Sequence, residues 1–368
     1  MKLNLQKSFF DFEKKELLTH GKLKLTSFKY PSGVEAILVE GARTSFIFTP
    51  FKGQQVWHLV VDGEEISMDT EVKEPKDTMV YLKNYGGFLY HCGVISFGAP
   101  DAEHPHHGEI PNEIYDTAYV TAGCDEGGNF ITLGGSLEHN TAFVRRYRFS
   151  PEIKLYEDGT VLKVSVRLEN LRNYPMEYMY LCHINFKPMD GAKLIYSAKE
   201  DHEHIKIYGS CGSPEFESYQ EALKKNISLM NDVGAKGQCY DPELCFGIKY
   251  EADCDGRAYT LQDTGNGACY VSHPANILTN GVRWISRTKN ESAMGMVLPA
   301  TAEHIGYQNA KENGQLKILG ANETLEFYME AGYLDALAAS EIKAKVQKIL
   351  ERSQSIKSAP AINARSIK

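Results

Sequence analysis

The stretch "IKLYEDGTVLKVSVRLEN", residues 153–170, decides the fold class. Apolar and polar residues alternate on both sides of Asp158-Gly159, which is the period-2 pattern of a strand with one buried face. An Asp-Gly pair between two such segments is the strongest short-range signal for a β-hairpin. The sequence therefore predicts two antiparallel strands joined by a tight turn.

Similar segments fill most of the chain on either side of this hairpin. From residue 22 onward, runs such as "KLKLTSFKY" and "QQVWHLVVDG" end at Gly, Pro or Asp residues, as in a β-meander, and a last hairpin is expected around "LGANET". Helical periodicity is nearly confined to residues 214–226 and 334–357. The pattern predicts an all-β protein with a C-terminal helix.

The domain organisation is predicted from the lack of any internal repeat or low-complexity linker. Residues 1–335 are expected to form a single large β-sandwich domain, and residues 336–368 a helical appendage that ends in a frayed tail of ten residues. The apolar side of the helix is expected to pack on the sandwich or on a neighbouring subunit, so a homodimer is possible.

Composition excludes some classes of partner. The net charge of −8 and the pI of about 5.9 offer no basic surface for a nucleic-acid backbone. Charges at residues 11–16 interrupt any early apolar run long enough for a signal peptide or a membrane span. The eight cysteines show no zinc-type spacing, and most are expected to be reduced and buried. We expect a soluble, cytoplasmic protein that binds a small molecule.

One loop concentrates histidines. "EHPHHGEIPN", residues 103–112, carries His104, His106 and His107 in a long Gly- and Pro-rich segment, and such loops in compact domains tend to be functional. A metal site, a sugar pocket and a solvated surface loop are all open interpretations. The cupin spacing fits poorly, because Glu109 comes too soon and Glu113 too late.

Four further segments hold candidate site residues. In "YMYLCHINFKP" (178–188), His183 and Asn185 lie two apart and therefore on the same face of a strand. Glu303 follows the apolar strand of "LPATAE", and Asp241 opens the strand "YDPELCF". Arg146 shares a strand face with Arg148, where it could meet an anionic sugar. Each also has an ordinary structural explanation: a core histidine, an exposed strand end, a turn carboxylate and a solvated face.

Taken in chain order, these motifs resemble those of the aldose 1-epimerase (galactose mutarotase-like) superfamily, in particular its less characterised mutarotase-like branch. The resemblance covers residues 22–334 and rests on His107-Gly108, "HINFKP", "YDPELCF" and "LPATAE". It implies a large twisted antiparallel β-sandwich, the galactose mutarotase-like supersandwich. Family members commonly have Asn-Arg before the His-Gly and a second Gly after it, whereas this chain has Pro105-His106 and Glu109 at these positions.

The resemblance also implies a reaction. An aldose 1-epimerase interconverts the anomers of a free monosaccharide by opening the ring at C1 and closing it on the other face, with no metal or organic cofactor. By similarity Glu303 is the base and His183 the acid, with a pKa expected near neutrality. His107 and Asp241 are expected to bind the sugar, with Asn185, His106 and Arg146 as further candidate contacts.

Two other functions stay open on the sequence. A non-catalytic carbohydrate-binding module or sugar sensor would keep the pocket without needing an acid and a base. A metal-dependent β-sandwich isomerase or oxygenase would instead use His104, His106 and His107 as ligands.

Overall fold

A computed structural model describes residues 1–209, 212–234 and 239–358 of the chain, with the backbone alone for residues 354–358. Within them the chain forms 22 strands, three α-helices and three short 3₁₀ helices. The strands are β1 Lys2–Asn4, β2 Lys15–His20, β3 Leu23–Lys29, β4 Glu35–Glu40, β5 Thr44–Phe48, β6 Val56–Val61, β7 Glu64–Glu65, β8 Leu89–Val94, β9 Thr117–Asp125, β10 Gly128–Thr141, β11 Arg145–Tyr156, β12 Val161–Asn170, β13 Met176–Ile184, β14 Lys193–Tyr196, β15 Ile205–Tyr208, β16 Tyr240–Ile248, β17 Arg257–Asp263, β18 Gly267–Pro274, β19 Asn280–Arg287, β20 Ser292–Ala300, β21 Lys317–Leu319 and β22 Thr324–Asp335. The α-helices are α1 Pro214–Lys225, α2 Tyr307–Glu312 and α3 Ala336–Ser358, and the 3₁₀ helices are Lys7–Phe9, Tyr81–Asn84 and Ile227–Asn231.

The strands form two antiparallel sheets. The first sheet has nine strands in the order β1-β9-β10-β11-β12-β22-β18-β17-β14. The second has thirteen strands, in the order β15-β16-β19-β20-β13-β8-β6-β5-β4-β3-β2 with β7 beside β6 and β21 beside β13. The predicted all-β antiparallel sandwich with a C-terminal helix is confirmed.

The hairpin that the sequence predicts at Asp158-Gly159 is present. Strands β11 and β12 pair antiparallel on either side of it, with Lys154 opposite Lys163. Leu155 and Val164 are fully buried, as the period-2 alternation requires. The expected hairpin around "LGANET" is wrong, because β21 pairs with β13 of the second sheet while β22 pairs with β12 and β18 of the first.

The two sheets enclose the main apolar core. Strand β13 forms part of its boundary, with some side chains facing the core and others facing outward. Cys182 and Ile184 point into this core, whereas Leu181 packs in a separate cluster on the outer face of the second sheet. Since side chains alternate along a strand, His183 lies on that outer face with Leu181. Strand alternation thus turns one histidine away from the core and towards the loops that cover the sheet.

The helix α3 packs on the outer face of the first sheet. Val346 and Ile349 are buried against Leu261 of β17 and Tyr270 of β18. The apolar side of α3 therefore packs on the sandwich of the same chain, which is one of the two partners expected for it. The predicted frayed tail, residues 359–368, lies outside the described residues. No helix among the described residues has the length and hydropathy to cross a membrane.

Two smaller expectations also have outcomes in the structure. The predicted helix at 214–226 is present as α1, whose N-terminal Phe216 backbone N–H is capped by the Ser213 side chain. Seven cysteines are described and all are free, four of them buried, while Cys211 lies outside the described residues.

Candidate active site

A cavity of about 270 Å³ lies on the outer face of the second sheet. Its floor is the aliphatic surface of three neighbouring strands, with Leu181 from β13, Val282 from β19 and Leu298 from β20. The walls come from the 3₁₀ helix after β7, the long loop between β8 and β9, β16 and the segment after β20. The other lining residues are Tyr81, Leu82, Tyr85, Gly98, Ala99, Pro100, His106, His107, His183, Glu243, Cys245, Trp284 and His304.

His183 lies in this cavity with one ring nitrogen fixed. Asn185 Nδ2 donates to the Gly87 carbonyl at 3.0 Å, so its Oδ1 faces His183 Nδ1 at 2.7 Å. An amide oxygen can only accept, so Nδ1 carries the hydrogen and Nε2 keeps a lone pair. The Tyr85 hydroxyl donates to the same Oδ1 at 3.0 Å. Asn185 therefore sets the tautomer of His183 and has its own amide groups occupied.

The charge state of His183 differs from the expectation. The side chain is 4% exposed, and this burial lowers its pKa to about 3. A pKa near neutrality was expected, which is wrong, because burial disfavours the charged imidazolium more than the Asn185 hydrogen bond favours it. At neutral pH His183 is a proton acceptor at Nε2.

The sequence "HHGE" explains how the loop places its histidines. His107 has φ +60°, and Gly108 follows with φ +87° in a bridge to Gly93. A Cβ on Gly108 would lie 2.2 Å from the Ser96 carbonyl oxygen, so glycine is required at this close approach. The loop thus needs "His-Gly" to turn beside β8.

Glu109 anchors the same loop from beneath. Its Oε1 accepts the backbone N–H of Val94 at 2.8 Å and of Ile95 at 3.0 Å, and the Tyr147 hydroxyl also donates to it. Burial raises the pKa of Glu109 to about 7, although these donors oppose the rise. Glu109, which stands where the resembled family commonly has a second Gly, thus has a structural role in holding the loop.

His106, His107 and His304 complete a group of four cavity histidines with His183. The His106 and His107 rings stack at 4.6 Å, and the His107 ring is edge-on to His183 at 5.2 Å. Burial lowers the pKa of all three. Within the described part of the chain, the buried Nδ1 atoms of His107 and His304 have no hydrogen-bond partner. Unpaired buried nitrogens are costly, and these two belong to residues that line the cavity.

Aromatic rings and one carboxylate form the mouth. The Trp284 ring lies 5.6 Å from His183, and the Tyr85 ring lies 5.9 Å from Trp284. Trp284 Nε1 donates to Glu243 Oε2 at 2.6 Å, which orients this carboxylate beside the ring. Flat rings next to polar acceptors suit a ligand with an apolar face and hydroxyl edges.

Glu303 lies next to the cavity and not among its lining residues. The residue is 9% exposed, and Lys206 Nζ donates a hydrogen bond to its Oε1. Burial would raise the pKa of this carboxyl, but the hydrogen bonds that it accepts, first that from Lys206, together with the Lys206 charge outweigh burial, so the pKa is lowered. The following residue, His304, lines the cavity instead.

Three other residues singled out from the sequence lie outside the cavity. Asp241 is exposed at the start of β16, where a register shift between Tyr240 and Leu244 interrupts the pairing with β19. Arg146 is exposed on the first sheet and donates to Glu138. His104 bonds Asp101 and stacks on Tyr307 at 4.5 Å.

The histidine loop does not bring its three imidazoles to one point. His104 is turned away from His106 and His107, and the one group of potential ligands within 4.8 Å of one another among the described residues is Asp201, Glu203 and His204. The geometry therefore places His106 and His107, without His104, in the cavity.

Sequence reasoning missed several lining residues. Trp284, Tyr81 and Tyr85 lie in segments with no motif, and Glu243 was passed over in favour of Asp241 two positions earlier. The adjacency of His304 to Glu303 was the one signal that could have indicated His304.

The comparisons with known proteins agree with this architecture. A family model described as a domain of unknown function (DUF4432) matches residues 31–332. No curated protein matches the chain. A solved candidate aldose 1-epimerase from Klebsiella pneumoniae subsp. pneumoniae superposes with a TM-score of 0.80 at 16% identity, over 95% of each chain.

Two further solved structures are more distant. A galactose mutarotase-like protein from Clostridium acetobutylicum has a TM-score of 0.55 at 16% identity, over 88% of this chain and 99% of that one. A galactose mutarotase related enzyme from Lactobacillus acidophilus has a TM-score of 0.53 at 10% identity, over 82% and 98%. At these identities the likeness shows the fold, which is the one that the sequence motifs predict.

Proposed function

We propose that this chain, which belongs to the DUF4432 family and has the galactose mutarotase-like fold, interconverts the anomers of a free monosaccharide. The observation that carries the proposal is the buried His183, whose tautomer is fixed by Asn185 and which lines a cavity together with His106, His107 and His304. The cavity volume of about 270 Å³ is close to the lower end of small-molecule pockets, roughly 300 Å³, and suits a single sugar ring.

In the proposed reaction, His183 Nε2 takes the proton of the C1 hydroxyl. The C1–O5 bond breaks with its electron pair on O5, and a donor on the other side of the ring protonates O5. Rotation about C1–C2 and closure on the opposite carbonyl face return both protons. Each positioned transfer contributes roughly 10² to 10⁴ in rate.

This assignment reverses the role predicted for His183. The resemblance made His183 the acid and Glu303 the base, whereas the hydrogen on Nδ1 leaves a lone pair on Nε2 of His183 that can accept a proton first. During ring closure His183 then returns that proton. The catalytic role of Glu303 stays a prediction, and its carboxylate is held by Lys206 beside the cavity.

The other cavity groups support sugar binding. Trp284 and Tyr85 offer faces for the C–H side of the ring, and Glu243, His106 and His107 offer partners for hydroxyls. No lysine or arginine occurs among the described residues that line the cavity, which favours a neutral sugar over an anionic one.

A non-catalytic sugar-binding function is the second candidate. The observation that favours it is the Lys206–Glu303 ion pair, since a carboxylate held in this way is a weaker base. Asp241 and Arg146 contribute to neither function in this geometry, because the cavity lining includes neither of them.

The test is NMR exchange spectroscopy of anomers with catalytic amounts of protein. The panel contains neutral hexoses, pentoses and 6-deoxy sugars, with uronic acids as the anionic comparison. Acceleration of at least one neutral sugar above the buffer rate is expected. Saturation-transfer contacts without any acceleration would favour the binding function, and the lack of both would overturn the proposal.

A further inference from the structure

We propose that the Tyr85 hydroxyl stabilises the positive charge that His183 acquires when it takes the proton of the C1 hydroxyl. This assignment rests on the proposed function and adds a positioning residue to it. Three contacts of the Tyr85 oxygen support it, two with the His183 ring and one with the Asn185 amide.

The Tyr85 oxygen contacts His183 and Asn185 at the same time. It lies 3.1 Å from Nδ1 and 3.2 Å from Nε2 of His183, and it donates its hydrogen to Asn185 Oδ1 at 3.0 Å. A tyrosine hydroxyl keeps its hydrogen at neutral pH and has one hydrogen to donate. Since this hydrogen is directed to Asn185, the lone pairs of the oxygen are left for the His183 ring.

The chain that follows Tyr85 fixes this oxygen in place. A Cβ on Gly86 would lie 1.9 Å from the Val72 carbonyl oxygen, so glycine is required at this close approach. The Gly87 carbonyl accepts Asn185 Nδ2 at 3.0 Å. The Tyr85 hydroxyl and the Gly87 carbonyl therefore bind the two ends of the same amide, which aligns this segment with the end of β13.

The contact matters because of the charge that forms in the reaction. The C1 O–H bond breaks, the proton goes to Nε2 of His183, and the imidazole becomes a cation, while the Tyr85 O–H bond stays intact. An oxygen with its lone pairs within 3.2 Å of both ring nitrogens favours the cation over the neutral ring. His183 is 4% exposed, so little water can do the same. An interaction that is stronger in the charged state lowers the barrier of the step that creates the charge.

The first experiment compares Tyr85→Phe with the control Tyr307→Phe in the anomer exchange assay. Phenylalanine keeps the ring that packs edge-on against His183 at 5.2 Å and removes the oxygen alone. Tyr85→Phe should lose roughly 10- to 150-fold in kcat, as for a lost hydrogen bond to a charged group, with KM within a few-fold. Tyr307 donates to Glu177 at 2.7 Å and is not a lining residue of the cavity, so Tyr307→Phe should keep the full rate. Urea unfolding of each variant gives the rate per folded molecule.

The second experiment reads the His183 ring directly. Nitrogen NMR of isotope-labelled histidines at neutral pH distinguishes the two tautomers, and the His183 signals are those that disappear in His183→Ala. The hydrogen should be on Nδ1 in both wild type and Tyr85→Phe, because Gly87 still holds Asn185. A hydrogen that moves to Nε2 in the variant would mean that Tyr85 acts on the tautomer and not on the charge, and the assignment would then be wrong.

Other outcomes of the first experiment also count against the role of Tyr85. A raised KM with unchanged kcat would make Tyr85 a sugar contact. Full activity of Tyr85→Phe, or an equal loss in Tyr307→Phe, would remove Tyr85 from the mechanism. Each of these results requires an active wild type and so leaves the proposed function standing, whereas a wild type that accelerates no sugar would overturn both.

Discussion

The two sheets consist of different strands, but in both of them side chains alternate between the core and the outer face. Their outer faces differ in what covers them. On the first sheet, α3 lays Val346 and Ile349 against Leu261 and Tyr270, and the interface closes as a small apolar core. On the second sheet, the covering segments are largely loops, and they leave a cavity that His107 and His304 line.

The difference follows from how the covering helix and the covering loops find hydrogen-bond partners for their backbone N–H and C=O groups. A helix bonds its N–H and C=O groups internally and can present an uninterrupted apolar stripe. A loop must find partners for its backbone, as Glu109 does for Val94 and Ile95, and its irregular path leaves space above the sheet. The kind of cover therefore decides which sheet face becomes structural and which can become a site.

The largest expected effect lies on the loop-covered face. His183→Ala should lower catalysed anomer exchange by roughly 10²- to 10⁴-fold, because the base is removed, while the protein stays folded although losing a buried, hydrogen-bonded side chain reduces its free energy of unfolding. NMR exchange and urea unfolding of the same sample check both parts. Full retention of rate would remove His183 from the mechanism.

The helix-covered face should respond in the opposite way. Ile349→Ala should reduce the free energy of unfolding by about 2 to 5 kcal/mol, since Ile349 is 5% exposed, with turnover unchanged. Leu337, which is 74% exposed on the same helix, is the matched control, and Leu337→Ala should change stability by less than about 0.5 kcal/mol. Equal effects of the two variants would contradict the packing of α3.

Stability is expected to depend on pH through Glu109, whose carboxyl accepts hydrogen bonds from Val94 and Ile95. The Glu109 pKa rises from the usual 4.5 to about 7 on folding, so the folded state keeps a proton that the unfolded chain releases. The stability this provides is complete below pH 4.5 and is lost as pH rises through about 7, a change of roughly 3 kcal/mol. Thermal unfolding of wild type and Glu109→Gln from pH 4 to 8 measures it. Parallel Tm curves for the two proteins would refute this assignment.

The smallest effect is expected at the rim of the helix interface. Lys343 Nζ lies 2.9 Å from Asp263 Oδ2, with the two side chains 34% and 15% exposed. Lys343→Ala should cost about 0.2 to 1 kcal/mol and less at high salt, because solvent screens such pairs. Denaturant midpoints at two ionic strengths check this. A loss as large as that of Ile349→Ala would mean that charge, and not burial, holds α3.

Much of the fold could be predicted because strands and helices leave periodic patterns. The alternation around Asp158-Gly159 and the C-terminal helix both appear in the structure at the expected places. The hairpin around "LGANET" could not be predicted correctly, because its two strands pair with different sheets, and strand partners are not a local property.

Candidate site residues could be predicted where their placement depends on a residue nearby in the sequence. His107 precedes the glycine that its turn requires, and His183 precedes the Asn185 that orients it. Glu243 and Trp284 were missed, because nothing in their own segments distinguishes them from other strand residues. They meet in the structure through the pairing of β16 with β19.

The sequence by itself determined an acidic, strand-rich sandwich, its C-terminal helix and the two motif histidines, because these depend on composition, periodicity and immediate neighbours. Only the tertiary structure decided which side chains share the cavity, that His183 is neutral there, and that Glu303 is held by Lys206 while His304 faces the ligand space. The physical reason is that burial and charge pairing arise between segments far apart in the chain, and a pKa depends on both.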